Sequence, residues 1–196
     1  MTEKILLIKL AALGDVLRTT PLLPAIKDKW QHSEITFFTK DEAKPIVENN
    51  SHINRVITYA AGSIKKLEQE KFDLVFNLDE DYEACALATK VKKKELRGFY
   101  LKDGKVAATE TAKEWFNMST LGKKTPRVGG MTFNDYLKKR NKKTWQRLMA
   151  ELIDVDVDKC SYLYSLSEQQ KTFASDFARR YNISANDLVI GLNTGA

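Results

Sequence analysis

The first thirty residues constrain the fold more than any other part of the chain. Lys4-Ile5-Leu6-Leu7-Ile8-Lys9 is an apolar run, Leu10–Asp15 is a short small-residue loop holding one Gly-Asp pair, and Val16–Trp30 carries helical spacing. Val16, Leu23, Ile26 and Trp30 fall on one helical face. Strand, turn and helix in that order form the opening unit of an α/β layer, whose ligands sit beyond the carboxyl ends of the strands. Asp15 is therefore placed at the ligand edge.

The pattern repeats. Strands are expected at Glu34–Thr39, Arg55–Tyr59, Leu74–Asn77 and Glu95–Tyr100, with helices at Lys44–Asn49, Ser63–Glu70 and Tyr82–Val91 between them. The run Phe72–Leu78 is almost wholly apolar, as a strand covered on both faces must be. The alternation predicts a parallel sheet with helices on both faces. Pro21 and Pro24 should kink the first helix, or restart it at Pro21 with Thr20 as its cap. Ser63 is read as a helix cap. Lys102–Gly130, with four glycines and Pro126, reads mostly as loop with one helical turn.

Thr132–Ile153 reads as one long helix whose apolar stripe is interrupted at Lys138–Lys143. Ser167-Glu168-Gln169-Gln170 is a capping box opening another helix. Tyr136, Trp145, Phe173, Phe177 and Tyr181 lie at helical spacing and are expected in the core. Leu188–Leu192 is expected to be a strand, with Asn193–Ala196 beginning a loop.

At 196 residues the chain can bury one good core. No stretch approaches eighteen consecutive apolar residues, and residues 1–9 lack a secretory signal. Cys85 and Cys160 form no CxxC pair, and His32 and His52 stand alone, so the residues offer no zinc site. Two such cysteines fit a reducing, cytoplasmic setting. The formal charge of +6 permits phosphate, a membrane surface or acidic sugar as partner without choosing among them.

Several residues stand out as chemistry. Asp15 can serve as a general base toward a hydroxyl, or cap the following helix. Gly14 permits a positive φ or a close backbone approach, or is an ordinary turn glycine. A single glycine in this loop is not the GxGxxG of a dinucleotide oxidoreductase. Arg18, Thr19 and Thr20 follow one turn later, where they can bond sugar or phosphate. The two threonines can equally cap the proline-marked helix. Asp79-Glu80-Asp81 follows the Leu74–Asn77 strand, again at the ligand edge. It fits a solvated turn, a hard-cation cluster, or recognition of acceptor hydroxyls by Asp79. Lys65 and Lys66, the run Lys90–Arg97, and Lys123, Lys124 and Arg127 are basic. They read as solvated faces, or as grips for anionic sugars or anionic lipid. No aromatic residues interleave with these lysines, which argues against nucleic acid.

Lys4–Lys27 (KILLIKLAALGDVLRTTPLLPAIK) resembles the amino-terminal signature of glycosyltransferase family 9, the heptosyltransferases of the lipopolysaccharide inner core. Phe72–Ala88 (FDLVFNLDEDYEACALA), Arg97-Gly98-Phe99 and Leu188–Ala196 (LVIGLNTGA) agree with that family in kind and order. The resemblance implies a Rossmann-like domain over residues 1–186, the acceptor-side half of a two-domain GT-B fold. Residues 187–196 would then begin a truncated donor-binding domain. It implies an inverting enzyme that transfers heptose or a related sugar from a nucleotide-diphosphate sugar to an anionic glycolipid acceptor. Such an enzyme uses no cofactor or metal and works at the inner face of the inner membrane.

Asp15 takes the position of the family's base. Gly14, Arg18, Thr19, Thr20, Lys65, Lys66, Asp79 and Arg97 are the candidate substrate contacts, and Thr194 and Gly195 the candidate donor contacts. With the donor half missing, this chain alone is expected to be inactive. The alternative is a non-catalytic α/β module that binds anionic sugar or a partner protein.

Overall fold

A computed structural model describes residues 2–118, 127–128, 131–157 and 161–192. The chain divides into two units, Met1–Tyr164 and Ser165–Ala196.

The first unit is a six-stranded sheet with helices against it. Its elements begin with β1 (Lys4–Ile8), α1 (Leu13–Thr19), α2 (Leu22–Lys29), β2 (Glu34–Thr39), α3 (Lys44–Val47) and β3 (Arg55–Thr58). They continue with α4 (Ala61–Gln69), β4 (Lys71–Asn77), α5 (Tyr82–Lys90), β5 (Lys92–Lys102), β6 (Lys105–Ala108) and α6 (Lys113–Met118). A two-stranded ribbon, β7 (Arg127–Val128) with β8 (Met131–Thr132), precedes α7 (Phe133–Arg140) and α8 (Trp145–Ile153).

The sheet order is β3-β2-β1-β4-β5-β6. The first five strands are parallel and β6 is antiparallel. Strand order reverses between β1 and β4, which opens a crevice at their carboxyl ends. The four-residue strands β3 and β6 form the two edges.

Side chains alternate across the sheet, and each face has its own core. Ile5, Leu7, Phe37 and Phe76 pack with Val16, Leu22, Ile26, Leu148 and Ile153 from α1, α2 and α8. Leu6, Ile8, Phe38 and Val75 pack on the other side with Leu67, Ala84, Leu87 and Ala88 from α4 and α5. Each such Leu, Ile or Phe contributes about 1.5–3 kcal/mol by leaving water. The expected α/β architecture, with helices on both faces, is the one observed.

Four local expectations are corrected. The first helix does break at Thr20-Pro21, but Thr20 does not cap α2. Its hydroxyl donates to Leu17 O (2.8 Å) and accepts from Leu163 N (2.9 Å). Ser63 lies inside α4, whose cap position is Ala60, so it caps nothing. The stretch after Lys102 is not mainly loop, because Asp103 and Gly104 reverse the chain into β6. Both adopt positive φ (51° and 70°), the geometry of a primed two-residue hairpin turn. Residues 132–153 form two helices rather than one. Asn141 Oδ1 accepts from Lys143 N (3.0 Å), and the Thr144 hydroxyl then caps α8 by accepting from Arg147 N (3.2 Å).

The second unit contains α9 (Glu168–Arg180), opened by the predicted capping box between Ser167 and Gln170. Phe173, Phe177 and Tyr181 are not core residues. They are exposed along α9, and their rings touch in series with centroids 6.4 and 4.6 Å apart. Leu188–Leu192 pairs with no strand among the described residues and its side chains are exposed, so the expected strand is absent. An apolar run becomes a strand only where a neighbour completes its hydrogen-bond ladder. The expected loop at 193–196 lies outside the described residues.

Candidate functional site

The site forms where β1 and β4 leave the sheet side by side. Leu78 N donates to Ile8 O (3.1 Å), which keeps the two exits together. Asp79 then turns inward, and its Oδ2 accepts from Leu10 N (2.8 Å) and Ala11 N (2.6 Å). Lys9 Nζ lies 3.5 Å from the same oxygen and donates to Leu78 O (3.2 Å). Both side chains are almost fully buried. Asn77 supports them from below, since its amide donates to Phe99 O (2.8 Å) and its oxygen accepts from Asp79 N (3.1 Å). A buried ion pair needs such added hydrogen bonds to offset its desolvation. Here they pin the loop after β1 to the loop after β4.

Asp15 rides on the pinned loop as the third residue of α1. The N-cap position is Ala12, and Asp15 N donates to Ala12 O (2.8 Å), so no side chain serves as cap there. The Asp15 carboxylate is about one-third exposed, and its Oδ1 meets the Arg18 guanidinium at 3.4 Å. Arg18 lies over the Trp145 ring at 5.1 Å, and Lys9 approaches the same ring at 5.9 Å. A cavity of about 670 Å³ opens here. Asp15, Arg18, Lys9 and Ala11 line it from the β1 side, and Leu78, Asp79, Glu80 and Asp81 from the β4 side. Trp115, Asn141, Trp145 and Leu148 form the remaining wall.

Burial and the neighbouring Asp79 charge hold the Asp81 carboxyl above its usual range. Burial also pushes the Cys85 thiol up to about 12, behind the same loop. Among the described residues, no group of three or more His, Cys, Asp or Glu side chains gathers to hold a metal ion.

The other candidates fall in different places. Gly14 is exposed, has no positive φ, and would meet nothing with an added Cβ. The Thr19 hydroxyl donates to Asp15 O (2.9 Å), and Thr19 and Thr20 are both fully buried. Lys65 and Lys66 are exposed on α4 and do not line the cavity. Arg97 is committed to Glu95 Oε1 (2.5 Å), Ile153 O (2.6 Å) and Asp154 Oδ2 (3.4 Å), which fastens the end of α8 to the sheet. Lys94 pairs with Asp73 (2.6 Å), and Lys92 begins β5 at the amino end of the sheet. The cavity thus gathers Asp15, Arg18 and Asp79 but not the lysines. Lys123, Lys124, Thr194 and Gly195 lie outside the described residues.

Nothing in the sequence alone points to Trp115 or Asn141, and the helical spacing that predicts Trp145 in the core does not report that it lines the cavity. Lys9 left one signal, a lone charge closing an apolar strand at the ligand edge.

No protein-family model and no curated protein matches the chain. Solved structures do match it. A glycosyl transferase family 9 protein from Veillonella parvula DSM 2008 superposes with a TM-score of 0.69 at 19% identity, over 99% of this chain and 53% of that one. The E. coli heptosyltransferase WaaC with ADP gives 0.53 at 14% identity, over 86% and 53%. WaaC with ADP-2-deoxy-2-fluoro heptose gives 0.51 at 15% identity, over 83% and 52%. The chain thus spans about half the length of these structures, and its fold is the one it shares with these GT-B glycosyltransferases.

Proposed function

We propose that this chain is the acceptor-side half of an inverting glycosyltransferase in which Asp15 is the general base. One observation carries the reading. The Asp15 carboxylate is partly exposed on the wall of the cavity of about 670 Å³, at the strand-order reversal, and meets Arg18 rather than being spent on capping.

In this scheme Asp15 takes the proton of an acceptor hydroxyl as that oxygen bonds to the anomeric carbon of the donor. The bond from that carbon to the nucleotide diphosphate breaks on the opposite face, and the diphosphate leaves with the electron pair. No metal or cofactor takes part. The donor is a nucleotide-diphosphate heptose or related sugar, a choice supported by the ADP and ADP-heptose analogue named with WaaC. Residues 187–196 belong to the donor-binding domain, and Thr194 and Gly195 are its candidate donor contacts. The acceptor is a glycolipid such as a lipopolysaccharide core, met at the cytoplasmic membrane face. No described helix is long and apolar enough to cross a membrane. Much of the rate would come from holding two sugars together, and this half alone supplies one side of that clamp.

The test is sugar transfer measured with a donor-binding half supplied. Asp15→Asn should cut turnover by at least about 100-fold, the lower end for a lost general base, with an unchanged circular dichroism spectrum. Near-normal turnover of the variant refutes the assignment, and so does a silent parent chain with both halves present.

A further inference from the structure

The amino end of the sheet carries an open strand edge beside a cluster of lysines. β5 runs for eleven residues, and β6 pairs with it only from Phe99 to Lys102. On its inner side β5 pairs with β4 from Lys92 to Gly98. Among the described residues no strand pairs with the outer side of Lys92–Leu96. The backbone N–H and C=O groups of an unpaired edge are a template for another strand.

The same stretch carries three successive lysines. Lys92 and Lys94 fall on one face of the strand and Lys93 on the other. Lys93 is engaged, since its Nζ donates to Thr89 O (2.9 Å) and Val91 O (3.1 Å). Lys94 meets Asp73 at 2.6 Å, yet its side chain stays 81% exposed. Lys92 is exposed, and its register neighbour in β4 is Lys71, so two like charges stand side by side. Such a pair is unfavourable, and a carboxylate between the two relieves it. Lys4, Lys71, Lys92, Lys93 and Lys94 line a groove of about 530 Å³, and Asp73 is the carboxylate among its described lining residues. Asp73 is already engaged by Lys94 and by Lys4 N (2.8 Å). The nearby acids do not change the sign. Glu95 is held by Arg97 (2.5 Å), and Glu3 acts on Lys94 from just before β1.

We propose that Lys92–Leu96 is a docking edge for an acidic, extended segment of another protein, which adds to β5 as a strand. In strand addition the main-chain hydrogen bonds give affinity and the side chains give selectivity. Here the lysines repel a basic strand and charge the edge against an apolar one, while an acidic strand meets opposite charge. Acids at alternate positions of the segment face Lys92 and Lys94 together, because strand side chains alternate. Nucleic acid and lipid carry the charge but bring no ladder, so the open backbone favours a peptide.

The test uses the 196-residue chain and a short peptide alternating glutamate with valine. At low salt the peptide should bind and slow hydrogen exchange within Lys92–Leu96 by at least about tenfold. A lysine–valine counterpart should not bind. Methylating the amide nitrogens of the glutamate peptide keeps its charge and removes its donors. That change should weaken binding by at least about fivefold, the equivalent of one lost hydrogen bond. Lys92→Glu should weaken the glutamate peptide by at least about threefold. The variant should still fold, because its new carboxylate stands beside Lys71.

Failure of the glutamate peptide to bind overturns the proposal. So does equal binding of the lysine or methylated peptide, an unchanged affinity in Lys92→Glu, or binding that leaves exchange at Lys92–Leu96 unaltered. Protection of those amides by self-association of the chain overturns it in favour of a second copy. Tighter binding of RNA or of phosphatidylglycerol vesicles than of the peptide overturns it in favour of those partners.

Discussion

Removing the Asp79 carboxylate should unfold the site before it alters any chemistry. That one oxygen holds two backbone amides, at 2.8 and 2.6 Å, and faces the Lys9 ammonium at 3.5 Å, with both side chains almost fully buried. Asp79→Ala leaves a buried cation whose remaining acceptor among the described residues is Leu78 O. Breaking a buried pair from one side costs about 3–5 kcal/mol. Each stranded amide adds about 1–3 kcal/mol, reduced where water from the cavity reaches it. A total of at least about 5 kcal/mol would consume much of the stability of an ordinary domain.

Asp79→Asn keeps an oxygen for the two amides but loses the charge and turns the other oxygen, which accepts from Asp81 N (3.4 Å), into a donor, so about 2–3 kcal/mol is expected. Pairing it with Lys9→Met removes both charges at similar volume and should recover all but about 1 kcal/mol. Urea unfolding followed by circular dichroism gives the four corners of the cycle. A cost below about 0.5 kcal/mol for Asp79→Asn, or strict additivity of the two changes, would falsify the pin.

Gly98 has a φ of +112°, and an added Cβ would sit 1.9 Å from Asn77 O in the paired strand. Gly98→Ala should therefore cost at least about 3 kcal/mol, seen as a fall in Tm of roughly 6–12 °C for a chain of this size. A Tm within 2 °C of the parent, on the order of half a kcal/mol, rules out the clash. Cys85, with its thiol pushed up to about 12, should hold only about one thiolate in ten thousand at pH 8. In a Cys160→Ser background a disulfide reagent should leave it untouched until urea unfolds the chain. Stoichiometric labelling of the folded protein contradicts its burial.

The sheet was legible because its inner strands carry their own signature. Lys4–Ile8 and Phe72–Asn77 are apolar on both faces, and only a covered parallel strand tolerates that. The Asp15 loop was legible for the same reason, since it follows the first of those strands. The hairpin to β6 was missed although Asp103-Gly104 is a strong turn signal, because neighbouring glycines made the whole region resemble loop. The Lys9–Asp79 pair joins positions about seventy apart in the chain, and no local pattern reports such a partner. Helical spacing told that Phe173, Phe177 and Tyr181 share a face. It could not tell that nothing described covers them. The density of a basic run does not report which end of a strand it occupies, and the fold sorts the lysines by that end.

The sheet's outermost strands, β3 and β6, are its shortest, at four residues each beside the eleven of β5. A foreign peptide seeking to extend the layer finds only four residues on β3; on the other flank β6 pairs with Phe99–Lys102 of β5, and Lys92, Lys93 and Lys94 charge the stretch of β5 that it does not pair. Aggregation by strand addition is thereby discouraged by shortness on one side and by charge on the other.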